Sequence, residues 1–192
     1  MNRKAVSLIE LLISLMILSL VILGFSCLDL FSSGQVSLAN KILKTQNEAA
    51  YITEFMAKQT IKAVGDANVP PVRMFNDADE TGVVFRIDIN ENGKWDSPPD
   101  KEIAFLYRGT PDFEMRYYSN YPSVSPADIV TLSRNAYMLP LFGPVITDNY
   151  LTMTIDTCWD PQNALTSFPC GSSNNPVAHV RSRILIPAAS VH

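Results

Sequence analysis

Hydrophobic and polar residues are arranged differently in three consecutive zones of the chain, and the first zone is almost entirely apolar. Residues 11–28 contain no charged side chain. An apolar stretch of about 18 residues is near the lower limit of what a helix needs to cross a bilayer. We therefore predict one membrane-seeking helix within the first 31 residues.

The second zone keeps a helical period but has only one apolar face. Between Val36 and Val64, apolar residues recur every three or four positions, namely Leu38, Ile42, Ala49, Ile52, Met56 and Ala63. We expect this stripe to pack against a sheet, with a coiled-coil seam against a partner helix as the alternative. Gly65 is the predicted C-cap, and the prolines Pro70 and Pro71 stop the helix.

The third zone contains short segments in which apolar and polar residues alternate, as they do in half-buried strands. These segments are 83–89, 103–107, 113–117, 150–156 and 180–186. The stretch from Ser119 to Asn149 is punctuated by prolines and has no assignable pattern. A meander of strands beside one long helix predicts an α+β roll, in which the N-terminal helix packs on an antiparallel β-sheet head.

Composition changes this picture mainly by excluding other classes of protein. The chain has 192 residues, of which 47% are hydrophobic and 18% are charged, whereas about 25% charged residues is usual in soluble domains. The apolar surplus lies in the first zone, and no proline precedes Pro70. These features exclude a polytopic transporter, a disordered chain and a disulfide-dense miniprotein. The formal net charge is -4 with no basic block, so we predict no direct nucleic-acid binding.

A short basic leader precedes the apolar stretch. Arg3 and Lys4 hold the N-terminus on the cytoplasmic side, so the rest of the chain is expected outside. A secretory signal peptide has the same polarity, but its apolar region is shorter and an Ala-x-Ala cleavage site follows it. The chain also carries Glu10 near the start of the apolar helix. A carboxylate there is costly to bury in lipid, so it must either lie at the level of the lipid headgroups or have a partner.

The segment Ser7-Leu8-Ile9-Glu10-Leu11-Leu12, following this leader, closely resembles the N-terminal signature of type IV pilins and type II secretion pseudopilins. The resemblance implies that a prepilin peptidase cuts between Ala5 and Val6 and then methylates the new amine of Val6. It also implies that Glu10 of one subunit neutralises the amine of its neighbour inside a filament, which sets the axial register between them. Loss of the leader would change the net charge from -4 to about -6.

Three positions depart from the family pattern. Ala5 replaces the usual glycine before the cut, so we expect slower processing, and Val6 replaces the common phenylalanine at the mature N-terminus. Many pilins have a proline late in the apolar helix, where this chain has only Gly24. The missing proline argues against a partly melted helix in the filament.

The resemblance also implies how the chain is organised. We predict a leader (1–5), a transmembrane and filament-core helix (6–31), an amphipathic helix continuing into the head (32–66) and a β-rich head (67–192). The implied protein is a non-enzymatic subunit that spans the inner membrane once with its head in the periplasm, and later enters a pilus or pseudopilus at the cell surface. The implied partners are prepilin peptidase, other pilins or pseudopilins and the inner-membrane assembly platform.

Several functions remain open within and outside that family. The large, irregular head is similar to that of minor pilins of the PilW kind, which suggests a subunit that initiates assembly or caps the tip. A type II secretion pseudopilin is the second interpretation. A signal-anchored binding protein or adhesin that never polymerises is the alternative from another class. An anchored periplasmic enzyme has least support, because the sequence contains no nucleophile elbow, zinc-helix motif, P-loop or dinucleotide fingerprint.

One loop has the residue types of a calcium site. Asp88, Asn90 and Asn92 are two positions apart and Gly93 follows them, as in the first half of an EF-hand loop. Pro99 stands where the bidentate glutamate of such a loop belongs, and Asn-Gly alone also favours a metal-free turn. The candidate Ca2+ ligands are Asp88, Asn90, Asn92, the carbonyl of Lys94, Asp96, and Asp100 or Glu102 as replacements for the missing glutamate.

The cysteines and histidines complete the candidate chemistry. Cys27 lies in the apolar helix, whereas Cys158 and Cys170 lie in a loop rich in proline, asparagine and serine. Cys158 and Cys170 are candidates for a disulfide if the head is in an oxidising compartment, and two free thiols are the alternative. His179 is expected at the surface or edge of a strand, and together with His192 it gives little support to catalysis.

Overall fold

The computed structural model describes residues 8–65, 69–96, 98–122, 125–137, 150–165 and 167–186. One long helix, α1, precedes a series of strands, and a short second helix lies between the last two. The bounds are α1 Leu8–Thr60, β1 Val72–Asn76, β2 Glu80–Ile87, β3 Lys101–Arg108, β4 Glu114–Tyr121, β5 Ile129–Ser133, β6 Tyr150–Cys158, α2 Pro161–Ala164 and β7 Val177–Leu185.

The strands form two antiparallel sheets. β1 to β5 make a meander in which sequence order and spatial order agree, and β6 pairs with β7 in a separate two-stranded sheet. The predicted α+β class, with a long N-terminal helix and an antiparallel head, is therefore confirmed. The chain divides into two compact units between Asn40 and Lys41, so the last third of α1 belongs to the unit that contains the sheets.

The core of the second unit lies between α1 and one face of the sheets. Ala49, Ile52 and Met56 are fully buried on α1, as the periodicity predicted. Phe55 adds edge-on ring contacts, with centroids 5.1 Å from Tyr117 and 5.8 Å from Phe105. Burial of these side chains stabilises the packing of helix on sheet at about 25 cal/mol per Å² of apolar area.

The buried stripe of α1 differs from the predicted one at its ends. Ile42 is exposed, whereas Thr45 and Thr60 are buried. The Thr60 hydroxyl donates a hydrogen bond to the Met56 carbonyl at 2.8 Å, and the Thr45 hydroxyl donates to the Ile42 carbonyl at the same distance. Because carbonyls of the same helix accept hydrogen bonds from these hydroxyls, the two threonines can be buried in the core.

The predicted end of the helix was wrong. α1 ends at Thr60, and Ala63 already pairs with Ile87 as an isolated bridge. The chain turns earlier because the Ala63 amide donates to the Thr60 carbonyl at 3.1 Å, which closes a tight final turn. Gly65 is not a C-cap; a Cβ at that position would lie 2.4 Å from the Val69 carbonyl oxygen. Its role is to allow this close approach of two backbone segments.

The strand predictions located five of the seven strands that the described residues contain. The predicted segments 103–107 and 150–156 lie within β3 and β6, and the other three overlap β2, β4 and β7 with shifted ends. β1 was missed, and so was β5 within the unassigned stretch from Ser119 to Asn149. The rest of that stretch, residues 138–149, lies outside the described residues.

Candidate functional site

The first half of α1 exposes apolar side chains around its whole circumference. The large apolar residues from Leu8 to Phe31 are between 47% and 80% exposed. The most apolar window of α1 has a mean hydropathy of 2.7 and no buried residue, so α1 is long and apolar enough to cross a membrane. A helix that is apolar on every side needs lipid or other helices around it.

The serines in this part of α1 are compatible with an apolar environment. The hydroxyl of Ser14 donates to the Glu10 carbonyl at 2.7 Å, that of Ser19 to the Met16 carbonyl at 2.8 Å, and that of Ser26 to the Ile22 carbonyl at 2.9 Å. Each hydroxyl therefore has a partner within its own helix. Such internal bonding removes the main cost of placing a hydroxyl in lipid.

Glu10 occupies the first turn of α1 and its side chain is exposed. A carboxylate at this end of a helix is favoured by the partial positive charge of the helix N-terminus. It is also the only charged residue between Leu8 and Leu28. Ala5 and Val6, the predicted processing residues, lie outside the described residues.

The loop between β2 and β3 folds around the carboxylate of Asp88. One Asp88 oxygen accepts a hydrogen bond from the Gly93 amide at 2.7 Å, and the other accepts one from the Asn92 amide at 3.3 Å. Asn90 Oδ1 also accepts from the Asn92 amide, at 3.1 Å, and Asn92 Oδ1 accepts from the Lys94 amide at 2.8 Å. Gly93 has a φ of +76°, which favours glycine.

Asp100 closes this loop from its far end. The Asp100 side chain is buried, and its two oxygens accept hydrogen bonds from the Ile89 amide at 2.9 Å and the Asp96 amide at 2.7 Å. The Asn92 side-chain amide donates to Asp96 Oδ2 at 2.5 Å. The structure thus brings Asp88, Asn90, Asn92, Lys94, Asp96 and Asp100 into one hydrogen-bonded loop.

Glu102 has a different setting from the other candidate ligands. It lies on β3, where its carboxylate is 2.9 Å from Arg73 Nη2 and 3.2 Å from Arg86 Nε. Within the described residues, no three carboxylate, histidine or cysteine side chains are close enough together to hold a metal ion. The structure therefore provides a preformed turn, and calcium binding stays a prediction.

Cys158 and Cys170 form a disulfide, with their Cα atoms 5.8 Å apart. Cys158 is the last residue of β6, and the loop that the bond closes contains α2. The side chain of Asn175 holds this loop together, since its Nδ2 donates to the Asp160 carbonyl at 2.8 Å and to the Phe168 carbonyl at 2.9 Å. The bond therefore belongs to an ordered loop at the end of β6.

Residues beside the disulfide contact α1, and we call this set of contacts the helix clasp. The Thr157 hydroxyl donates to the Thr45 carbonyl at 2.9 Å, across 112 residues of sequence. The ammonium groups of Lys44 and Lys41 lie 4.7 Å and 5.9 Å from the centre of a Trp159 ring. Sequence reasoning missed the clasp, because two lysines one helical turn apart and a distant tryptophan give no joint signal.

Comparison with known proteins identifies a family motif at the N-terminal end of the sequence. Residues 1–26 match the family described as the prokaryotic N-terminal methylation motif. No curated protein and no solved structure gives a significant match. The motif supports a prepilin signal of the type IV pilin kind, and so a pilin-like or pseudopilin-like subunit. Such a signal implies processing by prepilin peptidase and association with other pilins in a membrane-assembled filament, a structural role.

Proposed function

We propose that this protein is a minor pilin, a subunit that initiates assembly of a type IV pilus-like filament or caps its tip. The observation that carries the proposal is the methylation motif on an all-round apolar helix that continues into the core of a folded head. Lipid covers the apolar half of α1 while the protein is stored in the inner membrane. Neighbouring helices replace the lipid when the subunit enters the filament.

The processing step gives Glu10 its role. Prepilin peptidase removes residues 1–5, and the amine of Val6 becomes methylated while keeping its positive charge. In the filament, the Glu10 carboxylate of one subunit pairs with the amine of the next. A pair buried among apolar helices is specific for one axial position, because any other position leaves both charges without a partner.

The head carries the features that favour a minor subunit. It holds two sheets and a disulfide-closed loop beside α1, which is more elaborate than a subunit needs merely to fill a filament. A disulfide is also in keeping with a periplasmic head, because such bonds persist in oxidising compartments. A type II secretion pseudopilin is the alternative within the same family. A signal-anchored adhesin that does not polymerise is the alternative outside it.

Intact-mass analysis tests the proposal directly. The full-length chain is produced in membranes with and without prepilin peptidase, and the mass of the purified protein is compared. We expect the peptidase to remove residues 1–5 and to add one methyl group, while the chain made without it keeps its leader. An unchanged mass in the presence of active peptidase, verified on a known prepilin, would leave only the anchor hypothesis.

A further inference from the structure

Basic residues cluster on the outer face of the two-stranded sheet, although the chain as a whole carries a net charge of -4 and Asp156 of β6 lies on the same face. Along β7, every second residue from His179 points away from the core, and we call Arg181 and Arg183 with His179 the β7 basic face. All three side chains are exposed. The residues between them alternate toward the core, where Ala178 and Ile184 are buried.

The three residues of this face differ in whether a carboxylate pairs with them. His179 Nδ1 lies 2.8 Å from Asp156 Oδ1 on the neighbouring strand. The Arg183 guanidinium stacks over the Tyr150 ring, 4.2 Å from its centre, which orients it without neutralising it. No carboxylate among the described residues pairs with Arg181 or Arg183. From residue 161 to the end of the chain there is no aspartate or glutamate.

The turn between β1 and β2 carries two exposed carboxylates. Asp77 and Asp79 are exposed there, on either side of Ala78, and we call these residues the acidic turn. One Asp77 oxygen accepts from the Ala78 amide at 2.7 Å, and no described lysine, arginine or histidine pairs with either aspartate. Glu80 differs from them, because it is paired with Arg116 at 3.4 Å. The acidic turn therefore offers two uncompensated carboxylates.

The strand order places these two features at edges of different sheets. β1 is one edge of the five-stranded sheet, whose order is β1-β2-β3-β4-β5. Beyond β5, Ala136 donates to the Phe113 carbonyl at 3.1 Å and pairs with Thr157 of β6 as an isolated bridge. β6 then pairs with β7. A series of strand and bridge pairings therefore links β1, which precedes the acidic turn, to β7, which carries the basic face.

We propose that the acidic turn of one copy of this chain docks on the β7 basic face of a second copy. The proposal rests on the proposed function and names a contact between the heads of two copies of this minor subunit. Because the two patches are different, the contact is heterologous. Two carboxylates facing two guanidiniums also fix which way round the copies meet.

A nucleic-acid partner fits this face less well than a second copy does. Strong phosphate-backbone binding uses on the order of 6–10 cationic contacts, whereas the β7 basic face supplies two arginines and one histidine. The net charge of -4 would also repel a polyanion at longer range. In the proposed contact, a second copy presents the two carboxylates of the acidic turn, which matches the small number of cations on this face.

Directional crosslinking between two tagged copies tests the contact. Both full-length copies carry Cys27→Ser, so that the exposed cysteine of α1 does not react. One copy carries Ala78→Cys in the acidic turn. The other carries Leu185→Cys, at an exposed position on the same side of β7 as Arg183. The unprocessed copies are reconstituted together in neutral-lipid vesicles and treated with a short bis-maleimide, and the mixed dimer is quantified.

Charge reversal gives the decisive comparison. Arg181→Glu with Arg183→Glu on the second copy should reduce the mixed dimer about tenfold, since like charges face each other. Asp77→Lys with Asp79→Lys on the first copy should then restore it, which also shows that both variants fold. Arg134→Glu, at an exposed arginine outside this face, is the matched control and should leave the yield unchanged. The yield should fall as salt rises from 0.15 to about 1 M, since the screening length shortens.

The possible outcomes separate this proposal from the proposed function. The docking is overturned if charge reversal on one copy does not change the yield of mixed dimer. It is also overturned if charge reversal on both copies does not restore that yield. A yield that depends on charge only in vesicles containing anionic lipid assigns the face to lipid and also overturns it. Because unprocessed chains are used, the crosslink does not depend on prepilin peptidase. If the copies crosslink but prepilin peptidase does not process the chain, the filament function alone is contradicted. If the peptidase processes the chain but the copies do not crosslink, the contact alone is contradicted.

Discussion

Glu10 is the residue on which the interpretation of the apolar helix depends most strongly. A plain membrane anchor has no use for a carboxylate within its apolar segment, where a charge near the bilayer centre costs about 2.5–3.5 kcal/mol on insertion scales. Glu10 lies in the first turn of α1. Under the proposed function, this place would keep it near the membrane surface before assembly and would bring it beside the processed N-terminus of a neighbouring subunit after assembly.

We expect Glu10→Val to be processed normally but to enter filaments at least about tenfold less than the unchanged chain. Removing one partner of a buried charge pair costs about 3–5 kcal/mol, because the other charge is left buried alone. The measurement is the fraction of processed subunit found in sheared filaments. Glu54→Val is the control, since Glu54 lies on α1 in the head and pairs with Lys58 at 2.7 Å. Equal incorporation of the two variants would contradict the register role of Glu10.

At the same scale, the sequence identified some residues and not others for a clear physical reason. Glu10 and the basic leader stand out against an apolar background, and a local motif is enough to find them. Thr45 and Thr60 were missed because a buried threonine looks polar until its hydroxyl is seen to bond to its own helix. Alternation alone places Arg181 and Arg183 on one face of a strand, but only the burial of Ala178 and Ile184 shows that this face points away from the core.

Among the elements, length and periodicity decided what could be predicted. α1 was clear because its pattern extends over 53 residues, whereas β1 and β5 have five residues each and too few alternations to be recognised. The end of α1 was misjudged because tertiary pairing of Ala63 with Ile87 overrides a local capping signal. The loop between β2 and β3 was recognised from its Asx spacing, but the ion pairs that hold Glu102 come from distant arginines.

The loop between β2 and β3 provides a test for calcium. If the Asp88 loop binds calcium, titration of the full-length chain in detergent micelles will release or absorb heat at millimolar ion. Calcium at about 100 times its Kd will add roughly 2.7 kcal/mol of stability and raise Tm by roughly 5–10 °C. Asp88→Ala should abolish both effects, and Asp79→Ala in the acidic turn should abolish neither. The absence of heat and of any Tm change on adding a chelator would reject the site.

For the whole molecule, the sequence was enough to predict the class of fold but not how its parts join. A long helix followed by alternating segments indicates an α+β head from local patterns alone. The division into two sheets, the bridge through Ala136 and the helix clasp all depend on contacts between distant segments. No local pattern specifies these, since the residues involved are ordinary loop and strand residues until they meet.

The tyrosines of the head predict how its stability responds to alkaline pH. Burial raises the pKa of Tyr107, Tyr117, Tyr118 and Tyr121 above the ordinary value. A raised pKa means that the folded state disfavours tyrosinate, so the stability is fully present below about pH 10 and is lost as the pH rises through the folded values. We expect unfolding above about pH 10, with tyrosinate absorbance appearing together with the loss of β-sheet circular dichroism.

The matched variant is Tyr107→Phe, which removes one buried phenol and should move the alkaline midpoint upward. Ionisation of all tyrosines before any loss of structure would contradict the prediction. An unchanged midpoint in Tyr107→Phe would show that this phenol does not contribute.

The helix clasp has a mechanical consequence for a subunit whose α1 is anchored in a filament. When the filament is pulled, tension along α1 reaches Lys41, Lys44 and Thr45 before it reaches Ala49 and the rest of the buried stripe. These residues are held by Trp159 and Thr157, directly beside a covalent bond between Cys158 and Cys170. The load therefore enters the head beside a covalent crosslink, before it reaches the side chains of α1 that pack on the five-stranded sheet.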